Sequence, residues 1–203
     1  MQGPINTGKV EWSGENPGIY LKSGNDGAWV ALSVFFRVVT SPHGRGTGLL
    51  VLAQPDKAAG HPAAMNFCIC DNKPLMQYLI ADFVSKFASF RAAAALAHLT
   101  YHDVTFAATR GDAKSFYEET LHAEGIQATL RWEELAPPFA VDVAPAQSAT
   151  GTHQMYSVFL EAKRGSIVID GNRLPGNVIQ RDFLGRRMST AFLAFSETWV
   201  SPA

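Results

Sequence analysis

Residues 29–39 are apolar on both faces of an extended chain, and this one segment restricts the fold more than any other feature. Side chains alternate along a strand. Val30, Leu32, Val34, Phe36 and Val38 therefore share one face; Trp29, Ala31, Phe35 and Val39 share the other with Ser33 and Arg37. A strand apolar on both sides has to be covered on both sides. Residues 188–200 near the end of the chain read the same way. Two such strands predict a strongly curved sheet or partial β-barrel with helices packed against it.

Composition agrees with a chain that buries much of itself. Lys plus Arg number 17 and Asp plus Glu 18, so 17% of residues are charged, where a soluble domain carries about 25%. Phe alone contributes 13 aromatic residues. A disordered chain has the reverse composition. The net charge of −1 argues against a nucleic-acid clamp, which needs a basic excess.

The first third reads as strands broken by dense turn chemistry, such as Gly14-Glu15-Asn16-Pro17-Gly18. After Pro74 the pattern changes. Leu75, Met76, Leu79, Ile80, Phe83, Val84, Phe87 and Phe90 recur at helical spacing, with Asp71 or Asn72 as N-cap. The pattern predicts one long helix, its end near Ser89 or beyond the Ala92–Ala95 run left open. A second, short helix is expected after Asp112 as cap, with Phe116, Tyr117 and Leu121 on one side and Gly125 past its end. Residues 126–134 alternate as a strand. Residues 153–162 and 166–170 predict a hairpin turning at Lys163-Arg164-Gly165. No repeat or linker divides the chain, so residues 1–203 are expected to form a single β-rich domain. The fold class expected is α+β: a curved, mainly antiparallel sheet or partial β-barrel with one long and one short helix against it.

Residues 1–9 lack the basic and apolar regions of a signal peptide. The longest stretch without charge, 143–160, holds Pro145, Gln147, His153 and Gln154, which no transmembrane helix would carry together. Cys68 and Cys70 are two apart, which on a strand exceeds comfortable disulfide geometry. They read as small buried residues in a reducing, cytoplasmic setting.

Two charges stand out because their strand faces are otherwise apolar. Glu197 follows Ala191, Leu193 and Phe195 and precedes Trp199; Arg37 lies on the segment described first. An isolated buried charge is costly. Mutual pairing of Arg37 with Glu197 on neighbouring strands satisfies both, either as a structural ion pair or at the floor of a pocket. The one concentrated charge cluster, residues 181–187, adds Arg186 as a further candidate for holding a carboxylate or phosphate; it reads equally as a solvated loop in which Asp182 neutralises an arginine. Arg37, Glu197 and Arg186 are thus the ligand-binding candidates, and Glu197 the catalytic one.

Other patterns carry less. Residues 43–48 look like an anion loop but lack the strand–loop–helix context of a P-loop. His98 and His102 are four apart, yet strand character begins at His102 and breaks a helical metal pair. Ser148, Thr150 and His153 lack a nucleophile elbow. Arg110-Gly111-Asp112 is an adhesion tripeptide in spelling only. No metal or cofactor is expected. The reading that follows is a cytoplasmic small-molecule-binding domain with an apolar pocket for a small apolar or carboxylate-bearing ligand, catalysis left open, and neither nucleic acid nor membrane as partner. The few charges for a chain of this length predict a homo-oligomer, a dimer or larger, formed through a face rich in Phe and Leu, and the alternative reading is a structural protein that does no more than form such homo-oligomers.

Overall fold

The computed structural model describes residues 7–57 and 65–203. Most of the N-terminal stretch and part of the loop around His61 lie outside them. The elements are β1 (Gly8–Glu15), β2 (Gly18–Lys22), β3 (Trp29–Thr40), β4 (Gly46–Leu52), β5 (Asn66–Cys70), α1 (Lys73–Asp82), β6 (Thr100–Asp103), β7 (Phe106–Gly111) and β8 (Phe116–Ala123). Then follow β9 (Ile126–Leu135), β10 (Phe139–Val143), β11 (Gln154–Ile169), β12 (Asn172–Arg173), β13 (Gln180–Phe183), β14 (Arg186–Ser189) and β15 (Ala191–Pro202).

Thirteen strands form one sheet in the order β6-β5-β4-β3-β1-β15-β11-β9-β8-β7; β10 and β12 pair with β11, and β2 bridges β15 and β3. Among the described residues every strand pairing is antiparallel except β5 with β6. The sheet rolls until its two ends approach. Between β6 and β7 the Val104 amide donates to Cys70 O at the end of β5, and the next amide, Thr105, donates to His122 O on β8. Adjacent residues thereby join both edges.

Rolling creates two cores. Ala31 and Phe35 of β3 face an inner cluster with Leu49, Phe67, Leu121, Leu130, Trp132 and Ile167. Leu32, Val34, Phe36 and Val38 face an outer cluster with Trp12, Leu50, Leu79, Phe83 and Trp199, covered by α1 and the turns after it. This explains the two-faced strand. It also accounts for the Phe content, because Phe106 is the sole phenylalanine in the exposed class among the described residues.

The expected α+β class is corrected: the protein is mainly strand, with a single α-helix, of 10 residues, among the described residues. Its cap is as anticipated, Asn72 Oδ1 accepting from the Leu75 amide at 3.1 Å. The stripe Leu75, Met76, Leu79 and Ile80 is buried. The helix stops at Phe83, a 3₁₀ turn spans Val84–Lys86, and Phe87 and Phe90 reach the core from turns rather than from further helix. The expected second helix is β8. Its burial alternates, with Tyr117, Glu119, Leu121 and Ala123 inward. Phe116, Tyr117 and Leu121 fit a helix face and a strand equally well over eight residues, and β7 and β9 on either side supply the ladder. Asp112 does cap, but it caps a turn: Oδ1 accepts from the Lys114 and Ser115 amides at 2.8 and 2.7 Å.

The expected hairpin at residues 163–165 is one 16-residue strand, β11. Gly165 is there for close approach, since a Cβ on it would sit 2.8 Å from Ala191 Cβ.

Candidate functional site

The structure separates the two charges that pattern alone brought together. β1 lies between β3 and β15, so Arg37 faces Glu15 across the ladder while Glu197 faces Gly14. A bulge completes the separation. Ser196 takes a left-handed conformation, φ 52°, and Ser157 of β11 stands opposite both Ser196 and Glu197. The extra residue reverses the alternation. Ala191, Leu193 and Phe195 face the inner core, whereas Trp199 and, with it, Glu197 lie on the outer side. The expected Arg37–Glu197 pair is therefore absent.

Arg37 belongs to a network at the end of the roll. It ion-pairs with Glu15 through Nη1. Its Nη2 donates to Glu119 Oε1 at 2.9 Å and to Thr109 Oγ1 at 2.7 Å. Tyr117 OH and Thr109 Oγ1 donate to the same carboxylate at 2.9 and 3.0 Å. Burial pushes the Glu119 carboxyl up and Arg37 pulls it back. The charged groups here are partnered within the protein, so the cluster forms a clasp between β3, β7 and β8.

Glu197 lies instead on a cleft of about 280 Å³ between β15, β11, the turn at Phe87 and the β13–β14 hairpin. Tyr20, Phe87, Phe159, Phe183, Phe192 and Trp199 line it. Glu197 is 3% exposed. Its Oε1 accepts from Trp199 Nε1 at 2.7 Å and Asn16 Nδ2 at 3.1 Å. Burial pushes the carboxyl up to about 7, against the pull of those two donors. Asn16 Oδ1 is buried without a hydrogen-bond partner. Burial also drives the Tyr20 hydroxyl up.

The cleft wall also carries Arg181. Its guanidinium lies over Tyr20, Phe183 and Phe192 with its carbon 5.3, 5.7 and 5.6 Å from the ring centroids. Its Nε is buried without a partner, and burial lowers its proton affinity. Arg186, the residue expected here, is exposed and stacks on Phe139 at 4.2 Å; it does not line the cleft. Of the three nominated residues only Glu197 does. The signal for Arg181 was the Leu184-Gly185 turn. Read as a hairpin, the cluster puts Arg181 opposite Met188, whose apolar side chain marks the inward face.

Among the described residues that hairpin forms a two-stranded sheet of its own. Its root is held by Glu161 Oε1, which accepts from Gln180 Nε2 at 2.8 Å and the Ser189 amide at 3.0 Å. Asp182 neutralises no arginine; its Oδ1 accepts from the Gly185 amide at 3.3 Å. Leu184 at the tip has φ 54° and is 47% exposed. Left-handed backbone costs a residue with a bulky side chain about 1–2 kcal/mol, and Asn visits it readily. Leu184→Asn is expected to raise the unfolding free energy by roughly 1 kcal/mol, measured by urea denaturation; a loss of stability would show that Leu184 packing outweighs the strain.

The remaining patterns dissolve on inspection. Ser148 Oγ lies 3.1 Å from Thr150 Oγ1, which lies 3.0 Å from His153 Nδ1, so the imidazole faces a threonine and no base adjoins Ser148. In the 43–48 turn the Thr47 amide donates to Asp71 Oδ1 at 2.7 Å and the His43 and Arg45 carbonyls accept from Asn72 Nδ2, so a carboxylate already takes an amide that an anion loop would offer its ligand. His98 and His102 sit on separate elements, a 3₁₀ turn and β6. Among the described residues no helix is long and apolar enough to cross a membrane. Comparison of the chain with protein-family models, curated proteins and solved structures returned no match.

Proposed function

We propose that the protein binds a small, largely apolar molecule in the cleft between β15, β11 and the β13–β14 hairpin. One observation carries this reading: of the four buried side-chain polar atoms without a hydrogen-bond partner among the described residues, Asn16 Oδ1 and Arg181 Nε lie on this one aromatic-walled cleft, while Trp12 Nε1 and Tyr156 OH lie off it. Buried polar atoms are nearly always satisfied, and exceptions call for a ligand or water. Ligand sites have this make-up, apolar walls with a few convergent polar groups. At ~30 Å³ per water-sized group, the volume holds about nine such groups.

Binding is favoured over catalysis because no nucleophile on the cleft has a base beside it; Ser148 is the nearest approach. Homo-oligomerisation loses its compositional argument, since two cores absorb the apolar residues and Val10, Val39, Phe106 and Leu184 are the large hydrophobics left exposed among those described. The free, buried Cys68 and Cys70 are in keeping with a reducing compartment such as the cytoplasm.

The test uses N-phenyl-1-naphthylamine, an uncharged fluorescent probe. Saturable one-to-one binding with energy transfer from tryptophan is expected, Trp199 being on the cleft wall. Ala88 is exposed at the rim. Ala88→Trp should block the mouth and abolish binding with the unfolding transition unchanged. Equal binding by the variant, or no saturable binding by the parent chain, would refute the reading.

A further inference from the structure

We infer that the ligand carries a single carboxylate, which the Arg181 guanidinium on the cleft wall holds. The inference rests on the cleft being a ligand site and adds the chemical class. Among the described residues no carboxylate lies within ion-pairing distance of Arg181, and none of its side-chain nitrogens enters a hydrogen bond. Other arginines also lack an acidic partner, but Arg181 alone among the described arginines has a nitrogen both buried and unpaired. Water therefore offsets its desolvation less than theirs. The three aromatic faces around it compensate in part.

The chemistry of the surroundings selects the anion. A guanidinium presents parallel N–H donors that match the two oxygens of a carboxylate. One cation balances one negative charge. Glu197 and Asp182 line the same cleft, so a dianionic phosphate would meet more repulsion than a monoanion does. The aromatic walls then take an aliphatic or aryl body of modest size. Arg91, also on the lining, spends its Nε on the Lys86 carbonyl at 2.8 Å and lies exposed at the rim, where it favours entry of an anion without holding it.

The experiment is calorimetric titration of the purified chain at pH 6, where Glu197 is mostly protonated, with octanoate, octanamide and octylammonium. Octanoate is expected to bind about tenfold or more tighter than octanamide, the strength of a charge-assisted hydrogen-bonded pair, and octylammonium more weakly than either. Arg181→Gln should erase the preference for octanoate and leave octanamide affinity within about twofold. Octanamide or octylammonium binding as tightly as octanoate to the parent chain would overturn the inference, and this comparison needs no variant to fold. A preference for octanoate surviving in Arg181→Gln would overturn it as well. If the naphthylamine probe binds and octanoate shows no preference, the carboxylate assignment fails alone; if neither probe nor any member of the series binds, the cleft reading fails with it.

Discussion

Glu197→Gln should stabilise the protein by about 3 kcal/mol at pH 8, with the advantage fading to nothing near pH 4.5. The carboxyl is carried from its ordinary 4.5 up to about 7 by burial. Below 4.5 it is protonated in the folded and the unfolded chain alike, and stability is unaffected. Between 4.5 and 7 the folded protein keeps a proton that the unfolded chain has released, so parent stability falls as pH rises. Above 7 both states are ionised and the whole cost of a buried carboxylate stands. Gln keeps an acceptor for Trp199 and Asn16, adds a donor beside an amide whose Oδ1 has none, and cannot ionise. Urea denaturation of both proteins from pH 5 to 8 measures the difference. Parallel stability profiles would show that Glu197 titrates as an ordinary carboxyl.

Arg37→Met should cost about 3–5 kcal/mol, the range for breaking a buried pair by removing one partner. Arg37 itself reaches solvent, but its partner Glu119 is 1% exposed; the loss is set by the carboxylate left behind with Thr109 and Tyr117 as its remaining donors. Replacing Glu119 by Leu in the same background should recover much of the loss, because removing both partners leaves no uncompensated charge. A double-mutant cycle should therefore couple Arg37 strongly to Glu119. The cycle between Arg37 and Glu197 should be additive within about 0.5 kcal/mol, as for side chains that share no partner. Coupling to Glu197, or an Arg37→Met loss below about 1 kcal/mol, would contradict the separation of the two networks.

How far the sequence could be read depends on the range of the interaction that decides each feature. Alternation along residues 29–39 demanded cover on both faces, and the inner and outer cores supply it. The Asn72 cap and the buried stripe of α1 are also local, set by side chains within one or two turns of each other. Glu197 was singled out correctly as a buried carboxyl, but not on the face that motivated it: Ala191, Leu193 and Phe195 face the inner core, and of those neighbours only Trp199 shares its side.

Long-range pairing decided the rest. Residues 116–123 satisfy helix and strand alike, and only partners on β7 and β9 select the strand. Gly165 looks like a turn until Ala191 is seen against it. The phase of β15 after Ser196 depends on one residue of β11 facing two, which no alternation rule can foresee. That bulge sends Glu197 to the outer cleft, away from the face of Phe195, and gives it Asn16 and Trp199 in place of Arg37. Which arginine joins it was settled likewise by hairpin register, with Arg181 set against Met188 and Arg186 left at the tip. The sequence by itself determined which side chains had to leave water, because transfer free energy belongs to the residue. Which of them meet was decided by the tertiary structure alone, because a side-chain period of two converts a single inserted residue into a change of face.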